Sequence, residues 1–482
     1  MKKQFCMQLK KMLPVMGTFV LTMLLCAGSL LLTALIPQDK ISANLKKSAV
    51  YFEEHELFPY LAEGQFNTRQ DNYADCILLN IIYHIGVDEQ ESLFSSVIRS
   101  AYFCREKQNV NEGFSEAAAF ENTAIPQEAK VDYFRYWHGS MVLLRPLLIL
   151  FDIVGVRLVL GIAALLLSIA AAYVLWKKKR KAISVCYLLS MIFVNSWVIV
   201  CCIEYVTTFL VMGACNLWIA GTWKEEYAQG NARQVSAGQE TATVAARRRR
   251  FLYLMAISGA VTSFMDFLTT ETLTFTVPVL LELVLCMGNR KRLENVKGTF
   301  LRIIQNGIVW GVSYAVMFVS KWIISAALLG THALKEALQS AGERLGGTVY
   351  LGATNLDPEA DFLQRVFGAV FRNEGMLFPF RDHMSPLTAA VLFGVAFMVL
   401  FSVIYLFYDK NLNLPTIGLL LLVASIPYLR YLVLSNHAYI HYFFTYRAQL
   451  VTIMTVLFLT WEYGLGNVFG KTGAKCAEKK KN

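Results

Sequence analysis

The residues whose types and spacing could do chemistry are most concentrated near the C-terminus, in residues 427–447, PYLRYLVLSNHAYIHYFFTYR. Arg430, Arg447, His437, His441 and Asn436 stand there among aromatics, between two long apolar runs. A charged side chain at the bilayer centre costs roughly 2.5–3.5 kcal/mol even on the lenient insertion scale, so such groups pair, face water or serve a function. Arginine presents a fork of donors matched to phosphate oxygens, and histidine adds a donor in either charge state. His437 and His441, four residues apart, share one face of a helix. That spacing also suits a metal, although the third ligand and the glutamate of a zinc-protease motif are missing. The same stretch also reads as a wet loop between two spans.

A second polar constellation lies near the other end, in NTRQDNYADCILLNIIYHI from Asn67. Thr68 followed three residues later by Asp71 is a helix-start signal, and Ile77, Leu78, Ile81 and Ile82 continue at helical spacing. Asp71 and Asp75 then lie one turn apart on one face. Asp71 equally reads as a helix cap that complements the dipole; Asp75 lies beyond the first turn and reads as a functional carboxylate or a solvent-facing one. YFRYWHGSMVLLRP, from Tyr133, adds Arg135, His138 and Arg145, with Tyr136 and Trp137 as interface anchors. Arg145, inside an apolar run, snorkels or pairs with a lipid phosphate or an acidic residue such as Asp266. FMDFLTTETLTF, from Phe264, supplies that Asp266 together with Glu271.

The elements that must position these groups follow from hydropathy. Of 482 residues, 56% are hydrophobic, and mean hydropathy is +0.45. Apolar runs of about 18–24 residues recur from end to end, each long enough to cross roughly 30 Å of hydrocarbon as a helix. The chain is therefore expected to be an all-α polytopic membrane protein with about ten spans. The formal charge of +10 need not mean nucleic acid. Its basic clusters (the N-terminal MKKQFCMQLKK, 177–181, 247–250, 290–292 and the tail) flank apolar runs, and the positive-inside bias places both termini in the cytoplasm of a multi-pass cell-membrane protein.

That orientation leaves a large first extracytoplasmic loop at 37–138, a cytoplasmic linker at 222–250 and a second large extracytoplasmic loop at 330–386, all within one integral membrane domain spanning 1–482. Residues 139–151 read as a half-buried helix, and 183–221 as two spans joined near Cys201 to Glu204. Most of the ten cysteines lie in apolar runs as small hydrophobes; Cys76 and Cys104 fall in the first loop and could be oxidised together. Nearly all the unusual polar residues fall on the outer face. No P-loop or dinucleotide fingerprint is found inside, which argues against a cytoplasmic nucleotide-dependent enzyme.

An uncleaved first span, a large first external loop with acidic residues on a helix, many further spans and a late external loop rich in basic and aromatic residues together resemble the GT-C membrane glycosyltransferases, the group of the protein O-mannosyltransferases and the aminoarabinose transferases. The resemblance is one of topology across the whole chain. It implies a catalytic acidic residue in the first external loop, which falls on Asp71 or Asp75, here in an Asp-Asn-x-x-Asp pattern in place of the adjacent acidic pair of many members. It further implies transfer of a sugar from a polyprenyl-phosphate donor to a saccharide or protein acceptor at the extracytoplasmic face; by their own donor chemistry, Arg145, Arg430, His437, His441 and Arg447 are the residues expected toward the donor phosphate. No cofactor is specified and no metal ligands are assigned, a divalent metal being compatible with the chemistry. Two other activities are open to the same residues. A transporter or flippase of a lipid-linked saccharide would use a polar path through Glu282, Gln305 and Lys321, and an acyltransferase would use His437 or His441.

Overall fold

The computed structural model describes residues 2–120, 124–227, 242–288, 292–345, 362–378, 386–406 and 413–465. Residues 228–241 of the linker expected at 222–250, residues 346–361 and 379–385 of the second loop expected at 330–386, Arg290 and Lys291, the turn at 407–412 and the basic tail lie outside the described residues. So do the side chains of the N-terminal basic stretch.

Helix accounts for 79% of the structure. Among the described residues, six stretches are long and apolar enough to cross a membrane: Met12–Ala34, Ile153–Lys177, Ile203–Thr222, Val296–Leu329, Leu414–Val433 and Tyr442–Gly464. The chain is thus an all-α, membrane-embedded protein. Two further apolar helices, Lys181–Phe193 and Leu273–Met287, are shorter. Between 183 and 221, where two full spans were expected, the first helix stops at Phe193 and the chain winds through a tight turn at Ser196–Cys201 before the second begins at Ile203. Asn195, in the left-handed region, makes that break.

The helices are α1 (Lys2–Ala34), α2 (Gln38–Glu54), α3 (Asn72–His84), α4 (Leu93–Arg99), α5 (Val110–Ala119), α6 (Met141–Leu148), α7 (Ile153–Lys177), α8 (Lys181–Phe193) and α9 (Ile203–Thr222). Then come α10 (Ala242–Met265), α11 (Leu273–Met287), α12 (Val296–Leu329), α13 (Thr331–Arg344), α14 (Phe362–Gly375) and α15 (Pro386–Leu406). The last are α16 (Leu414–Ala424), α17 (Ile426–Val433), α18 (Ser435–Ile440), α19 (Tyr442–Thr445) and α20 (Leu450–Thr460). In the bundle α7 packs on α9, α10 on α12, α9 on α11 and α8 on α20. Close approach of α10 and α12 depends on Gly259, where a Cβ would collide with the Trp310 carbonyl. Gly259→Leu is therefore expected to cost about 1–3 kcal/mol through overpacking, read as a lower melting temperature in detergent.

The segment expected as the first loop is itself folded. Helices α2, α3 and α5 pack together, and a short antiparallel ribbon pairs β1 (Tyr102–Phe103) with β2 (Lys130–Val131). The Asn80 amide fixes this ribbon to α3, accepting from Phe103 N at 3.0 Å and donating to Phe103 O at 2.9 Å. Cys76 and Cys104 are both free thiols; each donates to a backbone carbonyl, Val110 and Gln108 respectively. Lys321 of α12 ties the segment to the bundle through the Ile98 carbonyl at 2.7 Å, at the C-terminal end of α4, where carbonyls lack helical partners.

The polar groups separate by bundle end. At the C-terminal end of α9, Lys178 donates to the carbonyls of Gly221 and Trp223, Arg180 pairs with Glu225 at 2.7 Å, and Arg247 reaches Thr222 Oγ1 at 2.9 Å. The basic clusters at 177–181 and 247–250 therefore meet at one end. Glu204, at the start of α9, and Asp266, just past the end of α10, lie at the other, beside the first-loop segment.

Candidate functional site

At this second end a cavity of about 100 Å³ is lined by Asp71, Glu204, His138, Arg344, His437 and His441, with aromatic rings and one apolar face of α3 making up the rest of the wall. It collects residues from both ends of the sequence.

Asp71 owes its place to helix capping. The helix begins at Asn72 rather than at Thr68, and Asp71 is its N-cap, accepting from Ala74 N at 2.9 Å. Its carboxyl also hydrogen-bonds the carboxyl of Glu204. Two carboxyl groups bonded to each other hold a proton between them, the arrangement of an acid–base dyad. Burial, chiefly, pushes Asp71 up to about 6, with the Asp75 charge adding and the Ala74 bond opposing. One carboxylate oxygen of Glu204, Oε2, has no protein partner.

Asp75, one turn on, is fully engaged. It accepts Arg157 Nε at 2.7 Å and Ile203 N at 3.0 and 3.2 Å, while Arg157 also donates to Asn72 Oδ1 at 2.8 Å. Burial raises Asp75 despite Arg157. Asp75 thereby ties the first turn of α3 to the first residues of α9, and so sets Asp71 against Glu204.

The histidine pair lies where its spacing predicts, on α18 and its C-cap, with ring centroids 4.6 Å apart. His441 stacks on Phe444 at 5.1 Å, and Nδ1 of each histidine lacks a protein partner. Burial, then the Arg344 charge, holds His441 down to about 3; burial, then His441 itself, holds His437 well below its usual value. Both rings are neutral, each offering one donor and one acceptor. His138 donates to Tyr133 O (2.8 Å) through Nε2 while Nδ1 is unpartnered, and its backbone takes φ +53°, a conformation uncommon outside glycine.

Arg344 ends α13, bonded to Ser340 O at 2.9 Å and held over the Tyr136 ring at 5.9 Å. Its Nε has no partner. Asn436 fixes this end of α13 to α18 by donating to Glu343 O at 2.7 Å, which sets Arg344 beside the histidines. Arg69, two residues before Asp71, lies between the Phe58 and Phe443 rings at 4.5 and 4.8 Å and also has a free Nε. A second cavity of about 150 Å³ shares Tyr136 and Arg344 with the first and is otherwise largely apolar and aromatic. Along α12 its wall carries Tyr314, Phe318 and Trp322, part of an aromatic ladder at i+4 spacing that continues to Trp310, with successive centroids from Trp310 to Trp322 5.3, 6.2 and 5.2 Å apart.

The other residues singled out by sequence lie outside the first cavity's wall. Arg430 forks onto Glu271 at 2.6 and 3.2 Å and onto the Leu268 carbonyl. Asp266 caps the following turn through Thr269 N and the Thr269 hydroxyl. Arg145 reaches no carboxylate; it satisfies the carbonyls of Thr33, Ala34, Ile36 and Ile82. Arg447 lies between the Tyr205 and Tyr446 rings and contacts the Phe443 and Asn67 carbonyls at 3.4 Å. Glu282 is paired with Arg247 at 2.6 Å.

Sequence reading missed Glu204 and Arg344 as site residues. Glu204 carried a usable signal, an acidic residue inside an apolar stretch. Arg344 lay in a mixed-charge segment with no pattern to mark it. Among the described residues, no group of three or more His, Cys, Asp and Glu is arranged to hold a metal ion. Compared with protein families, curated proteins and solved structures, the chain has no match.

Proposed function

We propose that this chain is a membrane glycosyltransferase of the GT-C kind, moving a sugar from a polyprenyl-phosphate donor to an acceptor on the extracytoplasmic face. The observation that carries the reading is the composition of one cavity: a proton-sharing carboxyl pair, Asp71 and Glu204, faces the cationic Arg344 and two neutral imidazoles. Glycosyl transfer to a hydroxyl needs both halves. Asp71, deprotonated, takes the acceptor proton as general base. The hydroxyl oxygen then bonds the anomeric carbon as the bond from that carbon to the phosphate oxygen breaks. The departing lipid phosphate takes the electron pair, and its charge is stabilised by Arg344 and an imidazole N–H. The second cavity, opening from Arg344 along the aromatic ladder, gives the prenyl chain an apolar path.

The topology agrees with this placement. If α8, α10, α11 and α15 cross along with the six long stretches, the chain crosses ten times, and both termini share a side. The positive-inside bias puts the end bearing 177–181 and 247–250 in the cytoplasm, and the carboxyl cavity outside. Transport has less support, because Lys321 and Glu282 are each held by a protein partner.

In liposomes supplied with polyprenyl-phosphate sugar, the purified protein is expected to form a glycosylated acceptor. Arg344→Gln is expected to raise the donor KM about 10–100-fold, the loss of a charge-assisted bond worth about 1.5–3 kcal/mol, with the melting temperature held. Flux of labelled donor without any product would instead establish a transporter.

A further inference from the structure

We propose that His138 is a saccharide-binding residue of the carboxyl cavity, its bare Nδ1 lone pair taking the hydrogen of one non-reacting hydroxyl of the bound sugar. This role rests on the sugar-transfer reading of that cavity, to which it adds a group that recognises the sugar.

The tautomer of His138 follows from its partners. Nε2 lies 2.8 Å from the Tyr133 carbonyl, which can only accept, so Nε2 carries a proton. Burial, then the Lys321 charge, holds the imidazole down to about 3, so the ring is neutral and Nδ1 keeps its lone pair. No protein donor reaches that atom. Lys321, whose charge faces the ring, donates to the Ile98 carbonyl instead. His138 is only 1% exposed and lines the cavity. A buried acceptor without a donor carries a desolvation cost that a ligand hydrogen relieves.

The ring is also held in place. Tyr133 and Phe267 stand 5.2 Å from it and Tyr136 6.2 Å. Next along the chain, Gly139 N donates to the Phe264 carbonyl at 2.9 Å, and a Cβ on Gly139 would collide with Phe264. Met141 N donates to the His138 carbonyl at 3.0 Å as α6 begins. These contacts keep the backbone at φ +53°. Glycine or asparagine would meet that backbone at lower cost, so the backbone gives no reason for an imidazole there. An acceptor fixed in this way selects the position of a ligand hydrogen rather than following it.

The rest of the cavity orients the ligand. Glu204 Oε2 is a second acceptor without a donor, whereas Arg344 supplies donors only. A ligand that satisfies all three brings hydroxyls to His138 and Glu204 and an anionic oxygen to Arg344, the polarity of a sugar joined to a phosphate. The charges of Lys321 and Arg135 face His138 and oppose a cationic donor, so a neutral hydroxyl suits it better than an ammonium group.

The test is a thermal-shift titration of the full chain in detergent with short-chain prenyl-phosphate glucose, mannose and galactose, each beside its monodeoxyfluoro analogues, in which a fluorine that cannot donate replaces one hydroxyl. For the hexose that binds best, fluorine at one position is expected to weaken the apparent Kd about 10–100-fold. His138→Phe keeps a ring among Tyr133, Tyr136 and Phe267 and removes the acceptor; it is expected to bind the parent sugar as weakly as the wild type binds that analogue, and to lose the distinction between the two. His138→Asn tolerates the left-handed backbone and sets an amide oxygen at the δ position where Nδ1 stood, so it is expected to restore part of the distinction, which a merely structural histidine would not. If the parent hexoses bind but no fluorine costs the wild type more than about twofold, or if the cost persists in His138→Phe, His138 does not read the sugar, and the transfer reading stands without it. If no hexose shifts the melting temperature, both fall.

Discussion

Asp71→Asn is expected to reduce sugar transfer about 10²–10⁴-fold, the range over which a positioned general base contributes. The substitution is informative because asparagine caps a helix as well as aspartate does. The bond to Ala74 N is kept, so a residue that only capped α3 would be replaced without loss. The pH profile carries a second signature. With Asp71 pushed up to about 6 by burial, against an ordinary value of 3.8, kcat/KM of the wild type rises with pH through about 6, and the residual rate of the variant does not. The stability effect has the opposite sign. The folded pKa lies above the unfolded one, so the fold binds the proton more tightly; this contribution is fully present below 3.8 and is lost as pH rises through about 6. Wild type should therefore lose melting temperature relative to Asp71→Asn between about pH 4 and 7, while gaining activity over the same interval.

The membrane character was legible because hydropathy is local: runs such as Ile153–Lys177 or Val296–Leu329 declare their length without reference to any partner. The histidine pair was legible for the same reason, since a four-residue spacing on a helix is decided by the backbone alone. Charge partners were not legible. Arg430 finds Glu271 across 159 residues of sequence, and Asp75 finds Arg157 across 82. Arg145 looked like a phosphate ligand because its apolar surroundings hid four carbonyls left over where α1 ends, α2 begins and α3 closes. Helix ends leave such carbonyls unpaired, but their arrangement in space exists only after folding. Arg344 shows the converse. It carries no motif, and its significance comes wholly from Asn436 fixing the end of α13 beside His437.

The contrast between the two first-loop aspartates gives the other large effect. Arg157→Met is expected to destabilise the fold by about 3–5 kcal/mol, because it leaves Asp75 as a buried carboxylate without its cation. Asp75 is only 1% exposed, and its remaining partners are neutral, Ile203 N and the Cys202 thiol at the start of α9. The double change Arg157→Met with Asp75→Leu should recover much of that loss, since an apolar pair of similar bulk avoids desolvating either charge. Chemical unfolding in detergent measures both. Activity separates the two aspartates further. Asp75 holds Ile203 N, and the next residue is Glu204, so its pair with Arg157 keeps the α9 end of the dyad within reach of Asp71. Asp75→Asn retains an oxygen for Ile203 N or Arg157 and is expected to cost stability with a moderate loss of rate. Asp71→Asn is expected to cost rate with stability preserved. If Asp75→Asn abolished transfer in a fully folded protein while Asp71→Asn left it intact, the base would be Asp75 and the cavity assignment would fall.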